Sequence, residues 1–62
     1  DVLNLSLENN LVLEQVTIYN NLGQVVKTTS ENVIDVSHLA EGIYFVQVTT
    51  DKGKATKKVV VK

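Results

Sequence analysis

Apolar residues recur at every second position along most of this chain of 62 residues, which is the spacing of strands with one buried face. Leu3, Leu5 and Leu7 alternate with polar residues in this way. The segment 43–49 has the strongest strand character, because it is rich in β-branched and aromatic residues. No stretch shows the spacing of a long amphipathic helix, so the pattern predicts an all-β fold.

One predicted strand changes the parity of its apolar positions partway along. Leu11 and Leu13 are odd-numbered, whereas Val16 and Ile18 are even-numbered. Side chains alternate strictly between the two faces of a strand, so this change requires an extra residue. The sequence therefore predicts a bulge or a break near residues 14–15.

Turn-forming residues separate the predicted strands. Asn20-Asn21-Leu22-Gly23 is typical of a hairpin turn, and Asp51-Lys52-Gly53 predicts a tight turn that pairs segment 43–49 with segment 56–61. Ser37–Gly42 is the only helix-like piece, and we expect a single helical turn there whose Leu39 closes one end of the core.

These elements predict a small antiparallel immunoglobulin-like β-sandwich of about six or seven short strands. We expect one domain over residues 1–62, with a thin core because a chain this short buries only about 60% of its unfolded surface. The chain begins without Met, so we interpret it as excised from a longer protein. Predicted core residues are Leu5, Ile18, Val26, Ile34, Val36, Leu39, Tyr44, Val46 and Val48.

Charge is distributed unevenly along the chain. Residues 1–50 hold six acidic residues and one lysine, a net charge of −5, whereas residues 51–62 hold five lysines and one aspartate, a net charge of +4. A polarised small domain can orient toward a charged partner, although lysine on a strand also protects an exposed edge. Nucleic acid is a poor candidate partner, since the basic segment has no arginine and no aromatic residue.

The inventory of reactive side chains argues against an enzyme. His38 is the only histidine and there is no cysteine, so we expect no metal, no cofactor and no small-molecule substrate. Asp35 and Glu41 flank the predicted helical turn, but a domain this thin has little room for a pocket of a few hundred Å³. We expect Asp35 to accept hydrogen bonds from backbone amides around Ser37 instead.

Three blocks of the sequence resemble the type A C-terminal sorting domain of the type IX secretion system. They are Val16–Val26 with its Asn-Asn-Leu-Gly turn, Ile34–Val48 with its Gly-x-Tyr strand, and Asp51–Lys62 with its lysines and three valines. The likeness covers nearly the whole chain. The Asn-Pro pair that usually precedes the first strand of the family has no counterpart here, because the chain starts at Asp1.

The resemblance implies a non-catalytic secretion signal at the C-terminus of a fused cargo protein in Gram-negative bacteria. Such a cargo crosses the periplasm, is directed across the outer membrane, and reaches the cell surface or the medium. An outer-membrane barrel shuttle protein binds the domain, and a sortase-like peptidase commonly removes it during surface attachment. The residues that match the family motifs, and so the implied recognition residues, are Gly42, Tyr44, Gly53, Lys57, Lys58, Val59, Val60, Val61 and Lys62.

A second class of function stays open at this point. A structural or adhesive β-sandwich module of a larger surface protein, with carbohydrate binding as one option, would have the same strand pattern. Such a module needs no special terminus, whereas a sorting domain requires the parent gene to stop after Lys62.

Overall fold

The computed structural model describes residues 2–7 and 10–62, and these residues form six β-strands and no helix. In chain order the strands are β1 (Val2–Asn4), β2 (Leu13–Asn20), β3 (Val25–Thr29), β4 (Val33–Asp35), β5 (Gly42–Thr50) and β6 (Gly53–Val61). The predicted all-β class is confirmed, and the described residues contain no seventh strand. The immunoglobulin-like arrangement stays a prediction.

The strands form two antiparallel sheets. β1 pairs with β4 in the small sheet, and the large sheet has the order β3-β2-β5-β6. Two hairpins, β2–β3 and β5–β6, build the large sheet, and their long strands β2 and β5 lie side by side at its centre. β3 and β6 are therefore its two edges, and each pairs with one neighbour only among the described residues.

Inner side chains of both sheets share one core. The buried residues are Val16, Ile18, Ile34, Val36, Tyr44, Val46 and Val48. Most of them belong to the central strands β2 and β5, while Ile34 comes from β4 in the other sheet. The small sheet therefore covers the inner face of the large one. Burying one such aliphatic side chain stabilises the fold by roughly 1.5–3 kcal/mol.

The predicted core is largely confirmed, with one clear error. Leu5 and Leu39 are half-buried and pack against the core, and Val16 is an additional buried residue. Val26 is exposed, because the register of the β2–β3 pair shifts beside it: Lys27 lies opposite Ile18 and Val25 lies opposite Tyr19. Val26 is the extra residue of a β-bulge, so the alternation that placed it inside fails there.

The bulge predicted near residues 14–15 is confirmed. Leu13 lies opposite Thr50 and Gln15 lies opposite Thr49, which leaves Glu14 as the unpaired extra residue of β2. This insertion allows Leu13 and Val16 to face the same core although their sequence parities differ.

The hairpin turn between β2 and β3 is held by the side chain of Asn20. Its Oδ1 atom accepts hydrogen bonds from the N–H groups of Leu22 and Gln24, each at 2.9 Å. Gly23 closes the turn with a φ of 84°, a conformation that favours glycine. The turn predicted from these residues is therefore confirmed.

The helical turn predicted over Ser37–Gly42 is wrong. Leu39 donates its N–H to the carbonyl oxygen of Val36 at 3.0 Å, which closes a turn, and β5 begins at Gly42. Too few residues separate β4 from β5 to offset the cost of nucleating a helix. Leu39 nevertheless packs against the core as expected.

Candidate recognition surface on strand β6

Strand β6 presents two chemically different faces. In an antiparallel pair, residues directly opposite each other project to the same side of the sheet. Ala55, Lys57 and Val59 lie opposite buried residues of β5, so they share the core side. Val59 and Val61 are half-buried and pack against the core, whereas Lys58, Val60 and Lys62 are exposed. The predicted division of this strand into a core-facing set and an exposed set is confirmed.

Lysine supplies every charge of β6. Lys54, Lys57 and Lys58 lie within the strand, and Lys52 and Lys62 flank it. All five side chains are exposed, and Lys57 lies on the core side opposite Val46. The strand therefore has a positive potential along its whole length.

The outer edge of β6 is open. β6 has nine residues, each paired with β5, and it has no second strand neighbour in the described part of the chain. Nine residues of strand extend over roughly 30 Å. An edge of this kind presents a row of backbone N–H and C=O groups that another strand can pair with.

Two cavities lie between β6 and the N-terminal segment that contains β1. At one end, a cavity of about 340 Å³ lies between Leu5 and Leu7 on one wall and Ala55 on the other. At the opposite end, a cavity of about 290 Å³ lies between Leu3 and Val59–Lys62. We call these two cavities together the β6 groove. Both cavities are partly open to solvent, so neither is the enclosed ligand pocket that the sequence argued against.

The groove combines apolar walls with lysines along its length. Lys52, Lys54 and Lys57 line the first cavity, and Lys62 lines the second. Lys52 lies 4.0 Å from the carboxylate of its neighbour Asp51, a contact too long and too exposed to fix its position. The charge asymmetry of this region was predicted from the sequence, whereas the groove depends on how the N-terminal segment packs beside β6 and was not predicted.

The turn at the start of β6 is tied to the rest of the fold. Asp51 Oδ1 accepts a hydrogen bond from the N–H of Val12 at 2.9 Å, and Asp51 N–H donates to the Val12 carbonyl at 3.1 Å. Gly53 has a φ of 136°, a backbone conformation that residues with a Cβ atom rarely adopt. These contacts hold the first half of β6 at the groove.

All nine recognition residues expected from the resemblance lie on two neighbouring strands. Gly53 and Lys57–Lys62 lie on β6 or directly after it, and Gly42 and Tyr44 lie on β5 opposite Val61 and Val59. Tyr44 is buried, and its hydroxyl donates to the Ala40 carbonyl at 2.7 Å. Its side chain therefore supports β5 from the core side. The groove is also lined by Lys52, Lys54 and Ala55, which were not among the expected recognition residues. The only sequence signal for them was the excess of lysine in residues 51–62.

Outside β6, the polar side chains make structural contacts. Asp35 Oδ1 accepts a hydrogen bond from the Ser37 N–H at 2.9 Å, as expected from the sequence. Hydrogen bonding from the Ser37 hydroxyl, and then from its N–H, lowers the pKa of Asp35 below the ordinary value. His38 is exposed, and the described residues contain no group of three metal-ligating side chains. They also contain no helix that could cross a membrane.

Comparison with known families places the chain in a defined class. Residues 1–62 match the model of the secretion system C-terminal sorting domain, so the chain belongs to this family. The resemblance inferred from the three sequence blocks is thereby confirmed. The domain is a C-terminal sorting signal of the type IX secretion system, which implies export in Gram-negative bacteria. No curated protein and no solved structure matches the chain.

Proposed function

We propose that the export apparatus reads strand β6, and in particular its segment Lys57–Lys62, as the sorting signal. The reader is an outer-membrane barrel shuttle protein, and a sortase-like peptidase then removes the domain while the cargo is attached to the cell surface. The observation that carries this proposal is the family match over the whole chain, taken together with the exposed, cationic β6.

The domain acts in this proposal as a ligand and has no catalytic role. Lys58, Val60 and Lys62 project away from the core and supply side chains that a partner can contact. Val59 and Val61 hold the strand on the core, and Gly42 and Tyr44 support it from β5. Electrostatic attraction to such a lysine row speeds the encounter with an acidic partner and makes it sensitive to salt.

The test is the delivery of a fused cargo in a bacterium with a working type IX system. Changing Lys57, Lys58 and Lys62 to Gln together should leave the fold nearly intact, because exposed charges contribute little to stability. We expect the fusion to accumulate in the periplasm and its binding to the shuttle to weaken and lose salt dependence. The matched control is Lys27→Gln, which removes a lysine from the opposite edge strand and should leave delivery unchanged.

A truncation provides a stronger but less specific test. Deleting Val59–Lys62 should also strand the cargo in the periplasm, but it removes two side chains that pack on the core. Circular dichroism of the truncated domain separates loss of signal from loss of fold. Normal surface delivery by both the triple variant and the truncated fusion would contradict the proposal and favour the structural or adhesive module.

A further inference from the structure

The β6 groove has the features of a site for an added strand. Leucine and valine side chains line its two cavities together with lysines and a few other polar residues, and both cavities lie against the nine-residue edge strand β6. Strand addition derives affinity from backbone hydrogen bonds and specificity from alternate side chains that enter pockets. Side chains on the inner face of an added strand would lie beside Ala55, Lys57 and Val59.

The charges along the groove decide what kind of strand fits. Lys52 and Lys54 lie at one end, Lys57 at the centre, and Lys62 at the other end. No acidic residue lies within β6 to offset them. An occupant with carboxylates spaced along its length would be attracted, and a basic one would be repelled.

A second copy of this chain is a poor occupant. Two β6 strands that paired antiparallel about their midpoint would place Lys57 directly opposite Lys57. Like charges directly opposite each other destabilise a strand pair. The other edge strand, β3, also carries a lysine on its core side, Lys27 opposite Ile18. Both of these self-pairings are therefore disfavoured, and a segment of a different protein is the better occupant.

We infer that the β6 groove binds an extended, acidic segment of a partner protein, in which apolar residues alternate with carboxylates, by strand addition to β6. The apolar side chains enter the two cavities beside Leu5 and Val59, and the carboxylates project to the outer face, where they meet Lys54 and Lys58. This inference deepens the proposed function, because it names the chemistry of the segment that reads β6.

The experiment uses the purified chain and a capped, fluorescent nine-residue peptide in which valine alternates with glutamate. Fluorescence anisotropy at low salt should detect saturable binding. Replacing every glutamate of the peptide with glutamine should weaken binding by at least about tenfold, and raising the salt should weaken the parent peptide alone. Methylating alternate backbone nitrogens on the pairing edge of the peptide should abolish binding, because those N–H groups form the ladder.

Two protein variants locate the site. Lys54→Gln, on the outer face of β6 where the carboxylates of the peptide lie, should weaken peptide binding about threefold to tenfold, whereas its control Lys27→Gln, on the other edge strand β3, should leave binding unchanged. Ala55→Glu places a carboxylate in the groove and should reduce binding further. Circular dichroism checks that each variant is folded.

Several results would overturn the inference. They are the absence of binding by the parent peptide, equal binding of the glutamine or the N-methylated peptide, and equal loss in the Lys27 and Lys54 variants. The two peptide controls use the unaltered protein, so they decide the matter even where a variant fails to fold. Failure here would leave the export function intact, because the cargo assay does not depend on the mode of binding.

Discussion

The two edges of the large sheet use the same residue in the same position but differ in everything else. Each edge strand has an inward lysine opposite a buried aliphatic residue: Lys27 faces Ile18, and Lys57 faces Val46. β3 has five residues and a bulge at Val26, whereas β6 has nine residues in unbroken register with β5. Inward charges, shortness and bulges are all devices that discourage pairing between sheet edges.

The difference indicates two separate roles for the edges. β3 combines three of these devices, so it is protected against any added strand. β6 has the lysines but remains long and regular, so it excludes basic and self-complementary strands while its backbone stays available. The inward lysine discourages pairing with a second copy on both edges, and under the proposed strand addition the outer lysines of β6 select the partner.

The largest expected effects come from the core residues beneath the two lysines. Ile18→Ala should lower the free energy of unfolding by about 2–5 kcal/mol and Val46→Ala by roughly 1–3 kcal/mol, because each leaves a cavity. Since a domain of this length has only a few kcal/mol of stability, Ile18→Ala should come close to unfolding it. Urea denaturation followed by circular dichroism measures both.

Comparing these two core substitutions with one at an exposed position tests whether Ile18 and Val46 belong to the same core. Val26→Ala is the control, since Val26 is exposed at the bulge and its truncation should change stability by less than about 0.5 kcal/mol. An unchanged midpoint for Val46→Ala, or a large loss for Val26→Ala, would contradict the assignment of these residues.

The turns of the two hairpins should differ in their tolerance of side chains. Gly53→Ala should cost about 1–3 kcal/mol, because a φ of 136° is strained for any residue with a Cβ atom. Gly23→Asn should cost less, since asparagine tolerates a φ near 84° and nothing lies within 4 Å of a Cβ atom there. Thermal unfolding of both variants measures the difference. An equal loss of stability in the two variants would contradict the explanation by backbone conformation.

Local patterns allowed much of this fold to be predicted, and the failures lie where pairing between strands decides. The alternation of apolar residues predicted both ends of β5 to within one residue, and the change of parity predicted the bulge at Glu14. No such signal marks the bulge at Val26, which shows only in the register with β2. β6 begins at Gly53, three residues before its predicted start, because pairing with β5 extends it over residues of low strand propensity.

The candidate site divides in the same way. The lysines and valines of Lys57–Lys62 were recognisable as a chemical pattern, and the strand period gave their two faces. The groove beside them arises from the gap between two sheets that are distant in sequence, Leu5 being far from Ala55 along the chain. Packing of that kind has no local signature.

A third pair of variants measures how well each lysine protects its edge. Lys57→Val and Lys27→Val both replace a charge on the core side with an apolar side chain, so each should change stability by less than about 1 kcal/mol. We expect Lys57→Val to self-associate at lower protein concentration, because β6 is long and regular while β3 remains short and bulged. Sedimentation velocity detects the shift. Stronger association of Lys27→Val would reverse the comparison.

The smallest expected effect concerns the acid dependence of stability. Asp35, the last residue of β4, is one source of acid sensitivity. Its folded pKa is lowered by the Ser37 hydroxyl and N–H, so its contribution is complete above the ordinary value of 3.8 and is lost as the pH falls through the folded value. Asp35→Asn should remove this part of the pH dependence, because an amide accepts the same Ser37 N–H without titrating. Stability curves of both proteins between neutral and strongly acidic pH should converge at the acidic end, the unmodified chain being the more stable one above it. Parallel curves would show that the Asp35 charge does not contribute to stability.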